Sequence, residues 1–221
     1  MEKIIIIGGG GHAKVIIAII KKAKKFNIIG YTDINDYGKI LGAPYLGNDE
    51  VLSSLFNDGI NNAVIGIGQI KSSAIRRGVS SKLKKIGFEF PVIVSPTAVI
   101  NEDVVIGEGT VVMDGVVINP GTKIGSFSII NTRASIDHDC VIGNFTHIAP
   151  GVTLSGDVKI GDSVLIGTGA SVVQSRRIVD NSIVAAGSAV TSYILTPGTY
   201  IGVPARLMPT KEDFKNKKQN G

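Results

Sequence analysis

From Val94 onward one residue in six is a branched aliphatic. Stepping by six from Val94 through Ile100, Ile106 and Val112 to Val184 and Val190 meets seventeen positions, all of them Ile, Leu or Val. Four residues after each anchor comes a second inward candidate, small or β-branched from Ala98 to Ile194, and only Arg176 breaks that set. A strand repeats its side-chain direction every two residues and a helix every 3.6, so neither holds this register over so long a run. The period predicts a solenoid: coils stacked about 4.8 Å apart, a buried stripe of branched side chains, and capped ends.

These hexads resemble the hexapeptide repeat of the left-handed parallel β-helix acyltransferases. The resemblance implies left-handed winding, three hexads and so eighteen residues per coil, roughly five to six coils, and association of the helices as trimers.

Residues 1–93 follow a different pattern. Ile4–Ile7 reads as a buried strand, His12–Lys25 as a helix, Ile28–Thr32 as a second strand and Asn62–Ile67 as a third after a short helix near Glu50–Phe56. Ile70–Ile86 reads as a last helix and Phe90–Val94 as a strand leading out. Strands alternating with helices predict a small parallel α/β sheet. The expected organisation is an α/β domain over 1–93, a β-helix with its cap over 94–208, and a polar tail over 209–221, with the boundary near Pro91–Pro96.

Between the first strand and helix, Gly8-Gly9-Gly10-Gly11-His12-Ala13 satisfies G-x-G-x-x-G/A, and Asp33 ends the second strand about twenty residues on. Such a loop brings backbone N–H groups and a helix N-terminus to a phosphate, which suits any phosphorylated nucleotide. A full dinucleotide fold needs two mononucleotide halves, and the residues before the repeat provide room for one, so a nucleotide is favoured over NAD. His12 either faces that ligand or caps the turn.

Composition narrows the classes. The formal charge is +5, with lysines at 21, 22, 24 and 25 at a helix end and at 211, 215, 217 and 218 in the tail. Helix C-termini favour cations and no aromatic residues interleave the charges, so nucleic acid is not an expected partner. The N-terminal apolar run is too short for a signal peptide or a membrane span. A single cysteine, Cys140, suits a reducing compartment, so the cytoplasm is expected, and one Cys with three scattered His gives no metal-ligand spacing.

Two of the three histidines fall within the repeat. His138 and His147 occupy the third and sixth positions of their hexads, so both should lie outside the helix core, as exposed solenoid residues or as members of a site. One coil beyond His138 lies Gly156, with no side chain to block its N–H. A histidine beside an open amide suggests acyl transfer. Cys140 is an inward, fifth-position residue and reads as core rather than as nucleophile.

The stretches "IIIIGGGGHAK", "YTD", "INTRASIDHDCVIGNFTHIAPG" and "YIGVPARL" are similar to those of the bacterial amino-sugar N-acetyltransferases, including those acting on UDP-linked 4-amino sugars in bacillosamine synthesis, and of the sialic-acid O-acetyltransferases. The resemblance extends to about Met208. It implies that His138 is the general base toward the sugar amine, with Asp139 orienting it and Asn131 in the same site. It also implies that His147 contacts the acetyl group of acetyl-CoA, that the Gly156 amide meets the thioester carbonyl, and that Thr168 and Ala186 line the pantetheine arm from a neighbouring subunit. Arg206 either meets a CoA phosphate or caps the last coil. Gly10, Gly11, His12 and Asp33 match nucleotide-binding positions, and Ile67-Gly68-Gln69 would close over the base or ribose. These relatives carry glutamate on both sides of the histidine where this chain has Asp137 and Asp139, and often Pro-Gly where it has "VVQSRR".

The expected function is acetyl-CoA-dependent N-acetylation of a nucleotide-linked 4-amino-4,6-dideoxy sugar by a cytoplasmic homotrimer without metal or membrane partner. Direct attack on the thioester is expected, because no Ser or Cys stands in a triad. The alternatives are O-acetylation of a sialic acid or related sugar, and a catalytically silent sugar-binding β-helix.

Overall fold

A computed structural model describes residues 1–70 and 72–209. The chain opens with a four-stranded parallel sheet in which β1 (Glu2–Ile7) lies between β2 (Phe26–Thr32) and β4 (Asn62–Ile65), with the short β3 (Tyr45–Gly47) on the outer edge of β2. The isoleucines of β1 are buried because helices cover both faces, as an all-parallel sheet requires. Helix α1 spans Gly11–Ala23 and stops short of the expected Lys25 because Lys24 adopts φ 53°. A 3-10 turn and α2 (Leu52–Asn57) stand where a short helix was expected. Helix α3 begins at Ala74 rather than Ile70, with residues 66–70 and 72–73 outside any helix or strand, and the lead-out strand shrinks to Ile93–Val94. Strand β3 carries no period of its own and escaped the sequence reading.

The rest of the chain winds through two-residue strands arranged in three parallel sheets. Face I begins with Ile93–Val94 and Val111–Val112, face II with Val99–Ile100, and face III with Val105–Ile106. Each strand pairs with the one eighteen residues on, as Ile130 with Ile148 and Ile136 with Leu154. Of the anchors, those from Val112 on are buried; Val94, Ile100 and Ile106 are half-buried because no coil precedes them. Each fully buried Ile stabilises by about 1.5–3 kcal/mol, so the stripe dominates the fold. Polar fifth positions are satisfied by a ladder. The Thr146 hydroxyl donates to the Gly161 carbonyl at 2.8 Å and accepts the Val164 N–H at 3.2 Å, and Ser128 and Thr110 do the same one and two coils earlier.

Near the C-terminus the coil shortens: Ile183 pairs with Thr199 and Ile178 bridges Ile194, each sixteen residues on. Ile194 therefore stacks on an anchor and does not hold the fifth position expected of it. Arg176 Nε donates to the Thr191 carbonyl at 2.9 Å, and its guanidinium stands 5.4 Å from the Tyr193 ring. The one break in the inward set marks the end of the eighteen-residue period.

The α/β domain uses face I as part of its own core. Ile16, Ile17 and Ile20 of α1 pack with Ile93, Val111 and Ile129, which point outward from the β-helix. On the other side Phe127 joins Phe90, Leu83 and Ile65. Face I is covered over its first coils and emerges near His147.

Candidate active site

Edge II/III, between faces II and III, carries Asp137, His138 and Asp139 in the turn from Ser135–Ile136 to Val141–Ile142. Asp139 adopts φ 58°, which a short polar residue tolerates, and its Oδ2 lies 2.8 Å from His138 Nδ1. The aspartate thus makes the contact despite being shorter than glutamate. An ionised carboxylate only accepts, so Nδ1 carries the proton and Nε2 keeps its lone pair. Asp137 Oδ1 instead takes the His138 backbone N–H at 2.8 Å and Asn119 Nδ2 at 2.9 Å, supporting the turn rather than the ring. The hydrogen bond to Asp139, helped by the charges of Asp137 and Asp157, holds the His138 pKa above its ordinary value.

Gly156 lies one coil further along the same edge. A Cβ there would fall 2.5 Å from His138 Nε2, so only glycine leaves the imidazole in place. Ser155 and Asp157 donate their N–H groups to the Val172 and His138 carbonyls, whereas the Gly156 N–H has no partner among the described residues. A basic ring nitrogen beside a free amide can take a proton from an amine while steadying an oxyanion. Cys140, by contrast, is buried, donates to the Ser155 carbonyl, and has its thiol pushed up to about 11 by desolvation. It is core.

Asn131 and His147 are placed elsewhere. Asn131 follows the strand Ile129–Ile130 of face I, and His147 pairs with Ile129 on the neighbouring strand. His147 Nδ1 lies 2.7 Å from the Gln69 carbonyl and Nε2 lies 3.1 Å from Asn131 Nδ2. A carbonyl only accepts, so Nδ1 donates to Gln69 and Nε2 accepts from Asn131. The Asn131 Oδ1 takes the Thr132 N–H at 2.8 Å. Desolvation pushes the His147 pKa down, so the ring is neutral. His147 is outside the β-helix core as expected, but it is half-buried under the α/β domain with both nitrogens engaged.

Thr168 and Ala186 are exposed on edge I/II, in the turns two and three coils along from Asn131–Thr132. Arg206 lies on the terminal antiparallel strand Arg206–Leu207, where its Nη1 donates to the Ala205 carbonyl. A single chain therefore does not assemble the predicted residues in one place. His138, Asp139 and Gly156 stand on edge II/III; Asn131, Thr168 and Ala186 stand on edge I/II; face II separates them.

The glycine loop forms a third group. Gly8 adopts φ 108° and packs so closely on Ile67 that a Cβ would meet its Cγ1 at 2.9 Å. Asp33 Oδ2 accepts the Gly9 N–H at 2.7 Å and Oδ1 the Asn35 N–H at 3.1 Å, so this carboxylate shapes the loop directly. Gly10 and Gly11 are exposed, with open space over both α-carbons. They line a cleft of about 550 Å³ with Lys14, Tyr37 and Lys39. The first turn of α1 has no acidic residue, and neither lysine ammonium has a partner among the described residues, so the cleft favours an anion. Sequence reading missed both lysines: Lys14 sat unremarked at the start of the helix, and Lys39 belongs to a loop without period.

His12 neither caps α1 nor lines that cleft. It lies against Gly68, its Nε2 enclosed and without a partner among the described residues, with a pKa pushed down to about 3 by desolvation and by the nearby Arg76 and His147. It is a neutral group at the junction of the two domains. Among the described residues no group of His, Cys, Asp and Glu is placed to hold a metal, and no helix is long and apolar enough to cross a membrane.

A family model described as the PglD N-terminal domain matches residues 3–83, and one described as bacterial transferase hexapeptide (six repeats) matches residues 121–156. No curated protein matches the chain. Among solved structures, PerB from Caulobacter crescentus, in complex with CoA and GDP-perosamine, is 34% identical over 95% of this chain and 98% of its own, with a TM-score of 0.88. A histidine-to-asparagine variant of the perosamine N-acetyltransferase from the same organism, also with CoA and GDP-perosamine, is 33% identical with a TM-score of 0.89, covering 95% of this chain and 98% of that one. The acetyltransferase domain of PglB from Neisseria gonorrhoeae, in complex with acetyl coenzyme A, is 31% identical over 94% of this chain and 99% of its own, with a TM-score of 0.87.

Proposed function

The chain belongs to the left-handed β-helix, hexapeptide-repeat sugar N-acetyltransferases, and we propose that it transfers the acetyl group of acetyl-CoA to the amine of a nucleotide-linked 4-amino-4,6-dideoxy sugar, with His138 as general base. The observation that carries the assignment of roles is the His138 ring, held by Asp139 through Nδ1, with Nε2 against Gly156 and its free N–H.

In this reading the neutral amine attacks the thioester carbonyl while Nε2 of His138 accepts its proton. The Gly156 N–H donates to the carbonyl oxygen as it gains charge, and Asp139 stabilises the imidazolium that forms. Collapse of the tetrahedral intermediate breaks the C–S bond, forms the amide and expels CoA as its thiolate, which takes up the proton from the His138 imidazolium, with no acyl-enzyme. The α/β domain supplies the handle: the diphosphate of the nucleotide-linked acceptor sugar lies over Gly10 and Gly11 between Lys14 and Lys39, and Asp33 sets the loop that receives it.

The separation of the two edges favours a homotrimer. Packing of edge II/III of one subunit against edge I/II of the next brings His138 and Gly156 opposite the partner's Asn131, Thr168 and Ala186. The groove between them would hold the pantetheine arm, with Arg206 near its far end. One cysteine, buried and protonated, is consistent with a cytoplasmic enzyme.

Purified protein incubated with acetyl-CoA and UDP-, dTDP- and GDP-linked 4-amino-4,6-dideoxy sugars tests the reading through free CoA thiol. Release with one of these sugars is expected. Release only with a free sialic acid would replace it with O-acetylation, and no release with any acceptor would leave a binding protein.

A further inference from the structure

The β-helix and the α/β domain are joined by hydrogen bonds as well as by apolar contact, and these converge on one segment. Ile65-Gly66-Ile67-Gly68-Gln69 leaves the end of β4, passes beneath the glycine loop at Gly8, and reaches His147. Arg76, two residues into α3, is 1% exposed. Its Nη1 donates to the carbonyls of Ile65 at 3.4 Å and Ile67 at 2.5 Å, and its Nη2 donates to the Phe127 carbonyl of the β-helix at 2.9 Å.

No carboxylate pairs with this guanidinium among the described residues, and its Nε has no partner. Burying an arginine among neutral carbonyls alone is unfavourable for stability, and burial depresses its pKa to about 10. A methionine or leucine would fill the space at lower cost, so the planar fork, which can bridge carbonyls of two domains at fixed spacing, is the feature to explain.

We propose that Arg76 is a positioning residue for the transfer reaction: by clamping the Ile65–Gln69 segment to the Phe127 carbonyl it sets the Gln69 carbonyl where it accepts the His147 Nδ1 proton, which turns the His147 Nε2 lone pair to the Asn131 amide. The segment packed beneath the glycine loop and the asparagine of the acyl-transfer side are then held by one chain of bonds, Arg76–Ile67, Gln69–His147 and His147–Asn131. A displacement of the segment moves sugar and asparagine together. This rests on the acetyltransferase reading above for its kinetic consequence, but not for its geometry.

Arg77 provides the internal control. It is the next residue of the same helix and also docks on the β-helix, through Ser163 at 2.7 Å and the Phe145 ring at 4.5 Å, yet it bonds none of the Ile65–Gln69 carbonyls. If domain docking alone mattered, the two arginines would behave alike.

The test compares wild type with Arg76→Lys, Arg76→Met and Arg77→Ala, using the kinetics of both substrates and ¹⁵N spectra of histidine-labelled protein. The lysine variant keeps the charge and guards against loss of folding. We expect both Arg76 variants to lower kcat/KM for the nucleotide sugar about 100-fold, the scale of a misplacement of about 1 Å, with KM for acetyl-CoA within about twofold of wild type. In wild type the spectra should show His147 as the Nδ1–H tautomer, and in the Arg76 variants as a mixture; Arg77→Ala should change neither readout. Equal kinetic losses in Arg76→Lys and Arg77→Ala, or a His147 tautomer untouched by either Arg76 substitution, would overturn the proposal. The tautomer readout decides it even if no acceptor sugar were turned over, which would instead count against the acetyltransferase reading.

Discussion

The β-helix and the α/β domain each bury an apolar core by different means, and in the proposed function the difference separates chemistry from recognition. In the β-helix most inward positions are fixed by count, so a residue the period assigns outward, where no other element covers it, is free to act; His138 and Gly156 stand at such positions, one coil apart. In the α/β domain there is no such count. Its core is completed by the outer surface of face I, through Val111 and Ile129, and its candidate ligand-facing residues lie on loops whose shape comes from single contacts such as Asp33 with Gly9. A periodic scaffold holds the reacting atoms rigidly. The aperiodic one is adapted to a particular ligand.

Substitutions on the edges of the β-helix should therefore act on turnover and those in the glycine-loop cleft on affinity for the sugar. The largest effect is expected for His138→Ala: loss of the base should lower kcat/KM about 10³-fold with acetyl-CoA affinity retained, and a loss under about tenfold would remove His138 from that role. Gly156→Ala comes next. The backbone there is not in the left-handed region, so the new methyl acts by displacing the imidazole, and kcat should fall about 100-fold in steady-state assays while thermal stability changes little.

Asp139→Asn should have a smaller effect with a directional signature. In the proposed mechanism neutral His138 is the active form, so its raised pKa should place the acid limb of the wild-type rate profile above the ordinary histidine value near 6.5. Removing the carboxylate that raises it should shift that limb to lower pH and reduce the plateau about tenfold. A limb that stayed in place would mean another group titrates there. The mildest change is expected for Lys39→Ala, an exposed cation at the rim of the cleft: KM for the nucleotide sugar should rise about three- to tenfold with kcat preserved. An equal rise in KM for acetyl-CoA would remove Lys39 from the nucleotide side.

The same division governs what the sequence reveals. The stacked coils were legible because a period of six admits few structures, and the site histidine because its position in the hexad turns it outward. Three features were not legible. The Asp139 contact was expected from the resemblance, but not the left-handed backbone from which the shorter carboxylate makes it. His147 bonds Gln69 across 78 residues, a tertiary contact with no local signal. The shortened last coil appears in sequence only as Arg176 in an inward slot, which identifies a departure from the period without its form.

The account depends most on a site shared between two edges that one chain keeps apart. Mixing His138→Ala with Asn131→Ala subunits, each nearly inactive alone, and assaying CoA release after subunit exchange tests this directly. Recovery of activity toward about a quarter of the wild-type level, the largest fraction of interfaces that random mixing of equal amounts leaves with an intact His138 edge against an intact Asn131 edge, is predicted; a mixture no more active than its components would contradict it.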